Sequence, residues 1–180
     1  IAYEDEWLIA INKPFGLPSQ PTLDSSRANL YEILKQYLRG RDGPHSYVGL
    51  HHRLDRDTSG VILFTTKKEA NAGVGDIFKN HTAQKTYLAI VATDHKLPET
   101  WQVDNFLEKD AGKKSRMRSV HSGGDKAITD FFCIAQVNGF ALIEARPKTG
   151  RMHQIRVHLS EAGTPILGDK SYGNATSAQR

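Results

Sequence analysis

The sequence has almost no cysteine and no long apolar segment. Its single cysteine, Cys133, excludes an internal disulfide. The apolar neighbours of Cys133 predict a small buried side chain. No cation nearby in the sequence would lower the pKa of the thiol, which disfavours a nucleophilic role. No window approaches the roughly 18 consecutive apolar residues of a membrane-spanning helix, and the acidic start Ile1–Glu6 does not resemble a signal peptide. We therefore expect a cytoplasmic protein without a membrane anchor.

Charge of either sign is in only slight excess. The 180 residues include 24 Lys and Arg against 20 Asp and Glu, which gives a net charge of +4 and a pI of about 9.2. This balance excludes a polybasic tail but leaves one basic cluster, Lys113–Arg118. Such a cluster indicates either a phosphate-contacting strip or a solvated surface. A chain of this length is expected to form one domain around one hydrophobic core.

What the sequence does contain is a series of short apolar runs that are typical of strands. The predicted strands are Trp7–Asn12, Val61–Thr65, Thr86–Val91, Trp101–Leu107, Arg116–His121, Ala127–Ala135 and Phe140–Ala145. The last two flank Asn138-Gly139, which predicts a tight hairpin because both residues tolerate positive φ. Hairpins and separated strands favour an α+β fold with a mixed, mainly antiparallel sheet and flanking helices.

Helices are predicted from apolar stripes with a period near 3.6 residues. The first stripe is Leu30, Ile33, Leu34, Tyr37 and Leu38. We expect Ser25 or Ser26 to cap this helix and Gly40 to end it. A second helix is predicted over Lys67–Asn80, with Ala70, Val74, Ile77 and Phe78 on one face. A last helix, capped by Thr149 and ended by Gly163, would bury Met152, Ile155, Leu159 and Ala162.

Two polar segments are candidates for chemistry. Ionisable and hydroxyl side chains fill His51–Gly60, which leads directly into an apolar strand. Catalytic groups usually lie on loops that rigid strands position, although a salt-bridged surface turn has the same composition. The segment Arg146–His158 brings several cations to the start of the last helix. A helix N-terminus attracts anions, so these cations indicate a phosphate contact or a partner for a carboxylate, with a polar helix face as the alternative.

These segments resemble motifs of the RluA-type family of pseudouridine synthases. The match to the family signature lies in His52–Gly60, and three other segments match in the same order. They are Asp5–Pro18 with Asn12-Lys13-Pro14, Lys85–Ala89, and Gly150–His158 followed by Ile166–Asp169. Four motifs in order are highly specific, and together they span roughly residues 1 to 173.

The resemblance implies a fold and a set of roles. The fold would be a mainly antiparallel sheet with a central active-site cleft, and we expect residues 1–180 to form a single catalytic domain. Asp55 would be the catalytic carboxylate, Tyr87 would stack on the target base, and Arg156 would pair with Asp55. Arg53 matches a residue that can take the place of the flipped nucleotide. The further substrate-binding candidates are His52, Arg151, Arg116, Arg118, Lys113 and Lys114.

The resemblance also implies partners. The substrate would be ribosomal or transfer RNA, and the isomerisation requires no metal and no cofactor. Many relatives carry an N-terminal RNA-binding module, which this chain is expected to lack, and a monomer is the expected state. Met152 stands where the family commonly has Thr or Ser, a change that should not affect the chemistry.

Two other functions are compatible with parts of the sequence. One is a metal-dependent hydrolase that uses His51, His52, His153 and His158. The five-residue separation of His153 and His158 disfavours it, because two ligands on one helix face are usually four residues apart. The other is a non-catalytic RNA-binding module, which would have no use for the Asp55 carboxylate facing phosphates.

Overall fold

The chain forms two compact units, each with its own antiparallel sheet. The computed structural model describes residues 1–24, 26–112 and 116–173. The units are Ile1–Ala83 and Gln84–Arg180. The α+β class with mainly antiparallel pairing is confirmed, since every pairing between named strands of the described residues is antiparallel. That residues 1–180 act as a single catalytic domain stays a prediction.

The first unit contains a four-stranded sheet and two helices. The strands are β1 (Tyr3–Glu4), β2 (Leu8–Lys13), β3 (Gly49–Leu50) and β4 (Gly60–Thr65), in the order β1-β2-β4-β3. The helices are α1 (Leu30–Asp42) and α2 (Asn71–Lys79), and a 3-10 turn (Lys68–Ala70) precedes α2. Strand β4 is central, and its inward residues Ile62 and Phe64 are fully buried. The loop between β3 and β4 thereby leads into a strand that pairs with a neighbour on each side.

Helix α1 begins and ends at residues other than the predicted ones. Its N-cap is Asn29, whose side chain accepts a hydrogen bond from the Glu32 N–H. Ser26 instead donates to Asp24, and Ser25 lies outside the described residues. The helix also continues through Gly40 and stops at Gly43, where φ is +99°. The cap prediction was wrong because Asn and Ser are almost equal as N-caps, and the loop before Asn29 decides between them.

The buried stripes of the first unit are narrower than predicted. In α1, Leu30, Leu34 and Leu38 are buried, whereas Ile33 and Tyr37 are about half exposed. In α2 only Val74 is buried. A helix that touches the core along one line needs only every fourth residue apolar, so the outer members of a wide stripe stay in contact with solvent.

The second unit contains a five-stranded sheet and one helix. The strands are β5 (Tyr87–Ala92), β6 (Thr100–Lys109), β7 (Met117–Val120), β8 (Asp125–Val137) and β9 (Phe140–Pro147), in the order β5-β9-β8-β6-β7. Asn138 and Gly139 connect β8 to β9 with φ of +52° and +81°, so the predicted hairpin is confirmed. Helix α3 (Gln154–Glu161) packs against β7, β8 and β9.

Helix α3 differs from its prediction at its start. Its N-cap is His153, which has a left-handed φ of +55° and makes no side-chain cap. Thr149 lies before the helix and is buried in a hydrogen-bond network. The helix buries Gln154, Val157, His158 and Leu159, so two polar side chains face inward where an apolar stripe was expected. Its end before Gly163, with φ of +76°, is as predicted.

Two smaller predictions concern exposure. Cys133 is half-buried rather than buried, and its side chain packs against the apolar cluster of the second unit. It lies beside a β-bulge between Cys133 and Ala135, and the bulge turns part of its side chain outward. Over residues 1–24, 26–112 and 116–173, no helix combines the length and apolar character that crossing a membrane requires.

Candidate active site

The loop that carries Asp55 is held by hydrogen bonds on both sides of that residue. On one side, Ser19 is buried and bridges the Leu54 backbone: its hydroxyl donates to the Leu54 carbonyl (2.6 Å) and accepts from the Leu54 N–H (3.1 Å). On the other side, the Arg56 carbonyl accepts from the Gly16 N–H (3.0 Å). Asp55 itself is half-buried. The backbone around Asp55 is therefore fixed by other residues of the first unit.

A buried lysine reinforces this loop. Lys13 is fully buried, and its ammonium donates to three carbonyl oxygens, those of Pro14 (3.1 Å), Leu17 (2.7 Å) and Arg56 (2.9 Å). Burial lowers the pKa of Lys13, and the negative charges of Asp57 and Asp55 oppose that shift. An ammonium that loses its hydration shell needs such partners. The first unit thus places a cation behind the Asp55 loop.

Sequence reasoning gave Lys13 no role, although a signal was present. Lys13 has the same parity as Ile9 and Ile11 on β2, and alternate residues of a strand point to the same face. That face is buried at Ile9. A lysine at an inward position of an apolar strand indicates a buried charge that must find oxygen partners.

Three other charged residues of this loop, Arg53, Arg56 and Asp57, are exposed, and two of them form an ion pair with each other. Arg56 donates twice to Asp57 (2.8 and 2.7 Å), and both side chains are half exposed. Arg53 is exposed. The structure thus brings Arg53 and Asp55 into one loop and engages the second carboxylate of the motif, Asp57, with its neighbour Arg56.

The histidines at the start of this loop have structural partners. The His52 ring stacks on Phe78 with 4.4 Å between centroids, and its Nε2 accepts from the Leu63 N–H (2.9 Å). The His51 Nε2 lies 3.0 Å from Thr65 Oγ1. In the described ranges, no three His, Cys, Asp or Glu side chains are grouped as a metal ion would require.

In the second unit, Tyr87 and Lys85 lie at the start of β5. Tyr87 pairs with Ala145 of β9 and packs against the apolar cluster of this unit. The Lys85 ammonium donates to the Thr149 carbonyl (3.2 Å), and burial lowers the pKa of Lys85. Tyr87, the first residue of β5, therefore lies at an end of its strand, and Lys85 just before it contacts the segment that precedes α3.

Arg156 makes paired hydrogen bonds to a buried carboxylate and contacts an aromatic ring. Its Nε donates to Asp169 Oδ2 (2.7 Å) and its Nη2 to Asp169 Oδ1 (2.9 Å). Its guanidinium lies over the ring of Tyr172 at 4.9 Å, and Arg116 lies over the same ring at 5.0 Å. Sequence reasoning assigned no role to Asp169 or Tyr172. The expected pairing of Arg156 with Asp55 joins residues of different units and stays a prediction.

Two further basic candidates, Arg151 and Arg118, have local partners. Arg151 donates to the Lys126 carbonyl (2.9 Å) and lies 3.7 Å from Asp125. Arg118 donates to Glu108 through Nε (3.0 Å) and Nη2 (2.5 Å). Lys113 and Lys114 lie outside the described residues. The strip of cations predicted from composition is therefore partly neutralised by carboxylates in its described part.

A buried polar network fixes the segment before α3. The Ile128 N–H donates to Thr149 Oγ1, which donates to Gln154 Oε1 (2.8 Å). The Gln154 Nε2 donates to Thr129 Oγ1 (2.9 Å), which lies 3.1 Å from Nδ1 of His158. The His158 Nε2 then lies 2.9 Å from Asn105 Oδ1. Since an amide oxygen only accepts, Nε2 carries the proton and Nδ1 accepts from Thr129, so every member is satisfied only with a neutral imidazole.

His158 makes the second unit sensitive to acid. Burial lowers the pKa of His158 to about 4, against the opposing charge of Glu161. Between about pH 6.5 and 4 the unfolded chain binds a proton that the folded chain does not, so the free energy of unfolding falls as the pH falls through this window. We expect His158 to lower the free energy of unfolding by about 3 kcal/mol between pH 6.5 and 4, since one pKa unit corresponds to 1.36 kcal/mol.

The measurement is urea unfolding from pH 7 to 4 for the native His158 and for His158→Gln, followed by Trp101 fluorescence. Trp101 stacks on Phe131, whose ring contacts His158 edge-on. A Trp7→Phe background removes the other tryptophan, since the chain has 2. The stability difference between the two proteins should shrink toward pH 4. A difference that stays constant over this range would contradict the assignment of a neutral His158.

Residues 7–161 match the RNA pseudouridylate synthase family. The chain belongs to this family. The matched range contains Asp55, Tyr87 and Arg156, and the resemblance seen in the motifs is confirmed.

Individual relatives agree with this family. The chain is 37% identical to the ribosomal large subunit pseudouridine synthase C of Rickettsia felis, over 97% of this chain and 56% of that protein. It is 34% identical to the tRNA pseudouridine synthase C of Vibrio cholerae, over 97% of this chain and 74% of that protein. Among solved structures it resembles human RNA Pseudouridylate Synthase Domain Containing 4, with a TM-score of 0.80 and 30% identity over 97% of this chain and 69% of that one.

The length covered differs among the relatives. The chain spans 56–57% of the ribosomal relatives from Rickettsia felis and Zymomonas mobilis. This chain therefore corresponds to a little more than half of each of those two synthases.

Proposed function

We propose that this chain isomerises uridine to pseudouridine in ribosomal or transfer RNA, with Asp55 as its catalytic carboxylate. The observation that carries the proposal is the family match over residues 7–161, which includes all the motif residues to which we assign roles. The RNA classes come from the names of the relatives, which specify the large ribosomal subunit and tRNA. We further propose that it acts in the cytoplasm.

The proposed reaction is an isomerisation within one nucleotide. The C1′–N1 bond of uridine breaks, the uracil turns, a C1′–C5 bond forms, the C5 proton leaves for solvent, and N1 takes up a proton in its place. Substrate and product have the same composition and oxidation state, so the balance of the reaction calls for no redox cofactor and no group donor. The protein must supply a carboxylate at the ribose, a surface that retains the freed base, and a route for the C5 proton.

Asp55 fits the first requirement. Its backbone is fixed on both sides by Ser19, Gly16 and Lys13, which limits the positions of its carboxylate. The carboxylate either attacks C1′ or removes a proton from C2′. Both routes need an anion held near the sugar, and fixed geometry converts an encounter into an effectively intramolecular step.

Tyr87 fits the other two requirements, and Arg156 supports the first. A tyrosine ring at the start of β5 offers a flat apolar face for uracil and a hydroxyl that can accept or relay a proton. A guanidinium stabilises a carboxylate as an anion and orients it through paired hydrogen bonds. We propose that Arg156 does this for Asp55, as the family motifs imply.

Access to C1′ requires the uridine to leave the base stack, which costs a few kcal/mol. We propose that Arg53, which is exposed on the Asp55 loop, occupies the place the nucleotide leaves. The other candidates for RNA contact are His52, Arg151, Arg116, Arg118, Lys113 and Lys114. Contacts between such cations and phosphates would offset the cost of flipping.

The experiment supplies the purified chain with ribosomal and transfer RNA transcripts tritiated at C5 of uracil. Release of tritium to solvent, in amounts that approach one equivalent per specific uridine, is expected, and it should persist in EDTA. Release of no label together with tight RNA binding would instead favour a binding module. EDTA-sensitive cleavage of the RNA would favour a metal-dependent hydrolase. The family match gives no support to that alternative.

A further inference from the structure

The guanidinium of Arg156 is held from two directions by the segment that follows α3. Asp169 accepts two hydrogen bonds from it, at 2.7 and 2.9 Å, in the paired geometry that suits a carboxylate. The Tyr172 ring lies 4.9 Å from its central carbon. The Asp169 side chain is 5% exposed and the Arg156 side chain 23%. One edge and one face of the guanidinium are therefore occupied within the second unit.

The holder is itself rigid. Asp169 Oδ1 also accepts from the N–H groups of Ser171 (2.9 Å) and Tyr172 (3.1 Å). The Tyr172 hydroxyl accepts from the Met117 N–H (2.7 Å), and its carbonyl accepts from the Ser160 hydroxyl (2.6 Å). Tyr172 is 4% exposed. The segment is thus tied to β7 and to α3 by hydrogen bonds that do not involve Arg156.

The charge of Asp169 has a consequence for Arg156. Burial would raise the pKa of Asp169, but the hydrogen bonds and charge of Arg156, with the Ser171 and Tyr172 N–H groups, keep it below its usual value. Asp169 is therefore an anion at neutral pH. An arginine beside one carboxylate offers a second carboxylate less attraction than an arginine without one would. The strength of any further pairing of Arg156 therefore depends on Asp169.

We propose that Asp169 and Tyr172 are positioning residues, which fix the plane of the Arg156 guanidinium and share its charge with the catalytic carboxylate. This inference rests on the proposed function of Asp55 and Arg156. It goes beyond that function because it assigns the orientation and the effective charge of Arg156 to a second carboxylate and an aromatic ring. A segment that merely closed the fold would affect stability alone.

The main test is Asp169→Asn, which keeps the shape of the side chain and removes its charge. We expect kcat for tritium release to fall by about 10- to 100-fold, because misplacing a catalytic group by about 1 Å costs about that much. KM for RNA should stay within about twofold. The pH at which the rate falls to half on the acid side should move down, since Arg156 would attract the remaining carboxylate more strongly.

Glu144→Gln is the matched control. Glu144 accepts from Arg146 Nε and Nη2, both at 2.6 Å, in the same unit, so this variant also removes the charge of a carboxylate paired with an arginine. Its kcat and acid limb should equal those of the wild type. If Asp169→Asn lowers only the melting temperature, with kcat within twofold and an unshifted acid limb, the positioning role is wrong.

Tyr172 provides a second test that holds even if Asp169→Asn fails to fold. Tyr172→Phe keeps the ring under the guanidinium but loses the hydroxyl that accepts from Met117, so stability should fall while kcat is retained. Tyr172→Leu loses the ring as well, and kcat should fall by about 10-fold. Equal kcat values for the two variants would overturn the role of the ring.

A measurement without substrate separates this inference from the proposed function. In NMR spectra of the free protein, the Nε–H of Arg156, assigned by its loss in Arg156→Lys, should exchange with solvent much more slowly than that of exposed Arg27. Asp169→Asn should abolish this protection, whereas Glu144→Gln should not. Exchange in the wild type as fast as that of Arg27 would overturn the inference. A wild type that shows protection but releases no tritium would refute the proposed function and leave Asp169 as the holder of Arg156.

Discussion

Asp55→Asn is expected to abolish tritium release from RNA labelled at C5 of uracil, with a loss on the order of 10³-fold or more. Both routes proposed for Asp55 need an anionic oxygen, and a carboxamide supplies neither a nucleophile nor a base. The substitution keeps the shape of a half-buried side chain and leaves in place the hydrogen bonds that Ser19 and Lys13 donate to the loop backbone. The fold and the affinity for RNA should therefore be retained.

Asp57→Asn is the matched control for this experiment. Asp57 lies two residues further along the same loop, and its carboxylate is paired with Arg56 at the surface. Loss of an exposed pair usually costs no more than about 1 kcal/mol, so we expect activity within a few-fold of the wild type. Both variants are assayed under single-turnover conditions, with RNA binding measured in parallel. Activity that survives in Asp55→Asn and disappears in Asp57→Asn would show that Asp57, and not Asp55, is the catalytic aspartate.

The second large effect is expected from Lys13→Met, which should destabilise the first unit by about 3 kcal/mol. Methionine has nearly the volume of lysine but leaves the carbonyls of Pro14, Leu17 and Arg56 without the ammonium that binds them. A buried polar group that loses its partner costs about 1–3 kcal/mol, and the Arg56 carbonyl still accepts from Gly16. The loop around Asp55 should loosen, so activity should fall even in the folded fraction.

Urea unfolding followed by Trp7 fluorescence, in a Trp101→Phe background, measures this effect in the first unit. Lys35→Met is the control, because Lys35 is partly exposed on α1 and its ammonium makes two weak contacts, an ion pair of 3.7 Å with Glu32 and a cation–π contact 5.7 Å from the Tyr31 ring. Its expected cost is at most about 1 kcal/mol. If the two variants are equally stable, the burial of Lys13 does not stabilise the unit, and the role assigned to its ammonium fails.

Much of the architecture is written in local patterns of the chain. The apolar run of β4 and the Asn138-Gly139 hairpin appear where the sequence predicts them, since strand period and turn conformation depend on neighbouring residues. Helix starts were predicted less well. Asn29 caps α1, and Thr149 does not cap α3, because several residues near each start are acceptable caps and the preceding loop selects one.

The sequence by itself determined the family of this protein and the order of its strands and helices, because motifs and periodicities are local. Only the tertiary structure decided which charges are buried and what binds them. The ammonium of Lys13 donates to a carbonyl 43 residues away, and Arg156 is held by a carboxylate 13 residues further on. A buried charge is stable only where oxygen or nitrogen partners converge on it. That convergence depends on how distant segments meet, which no local pattern specifies.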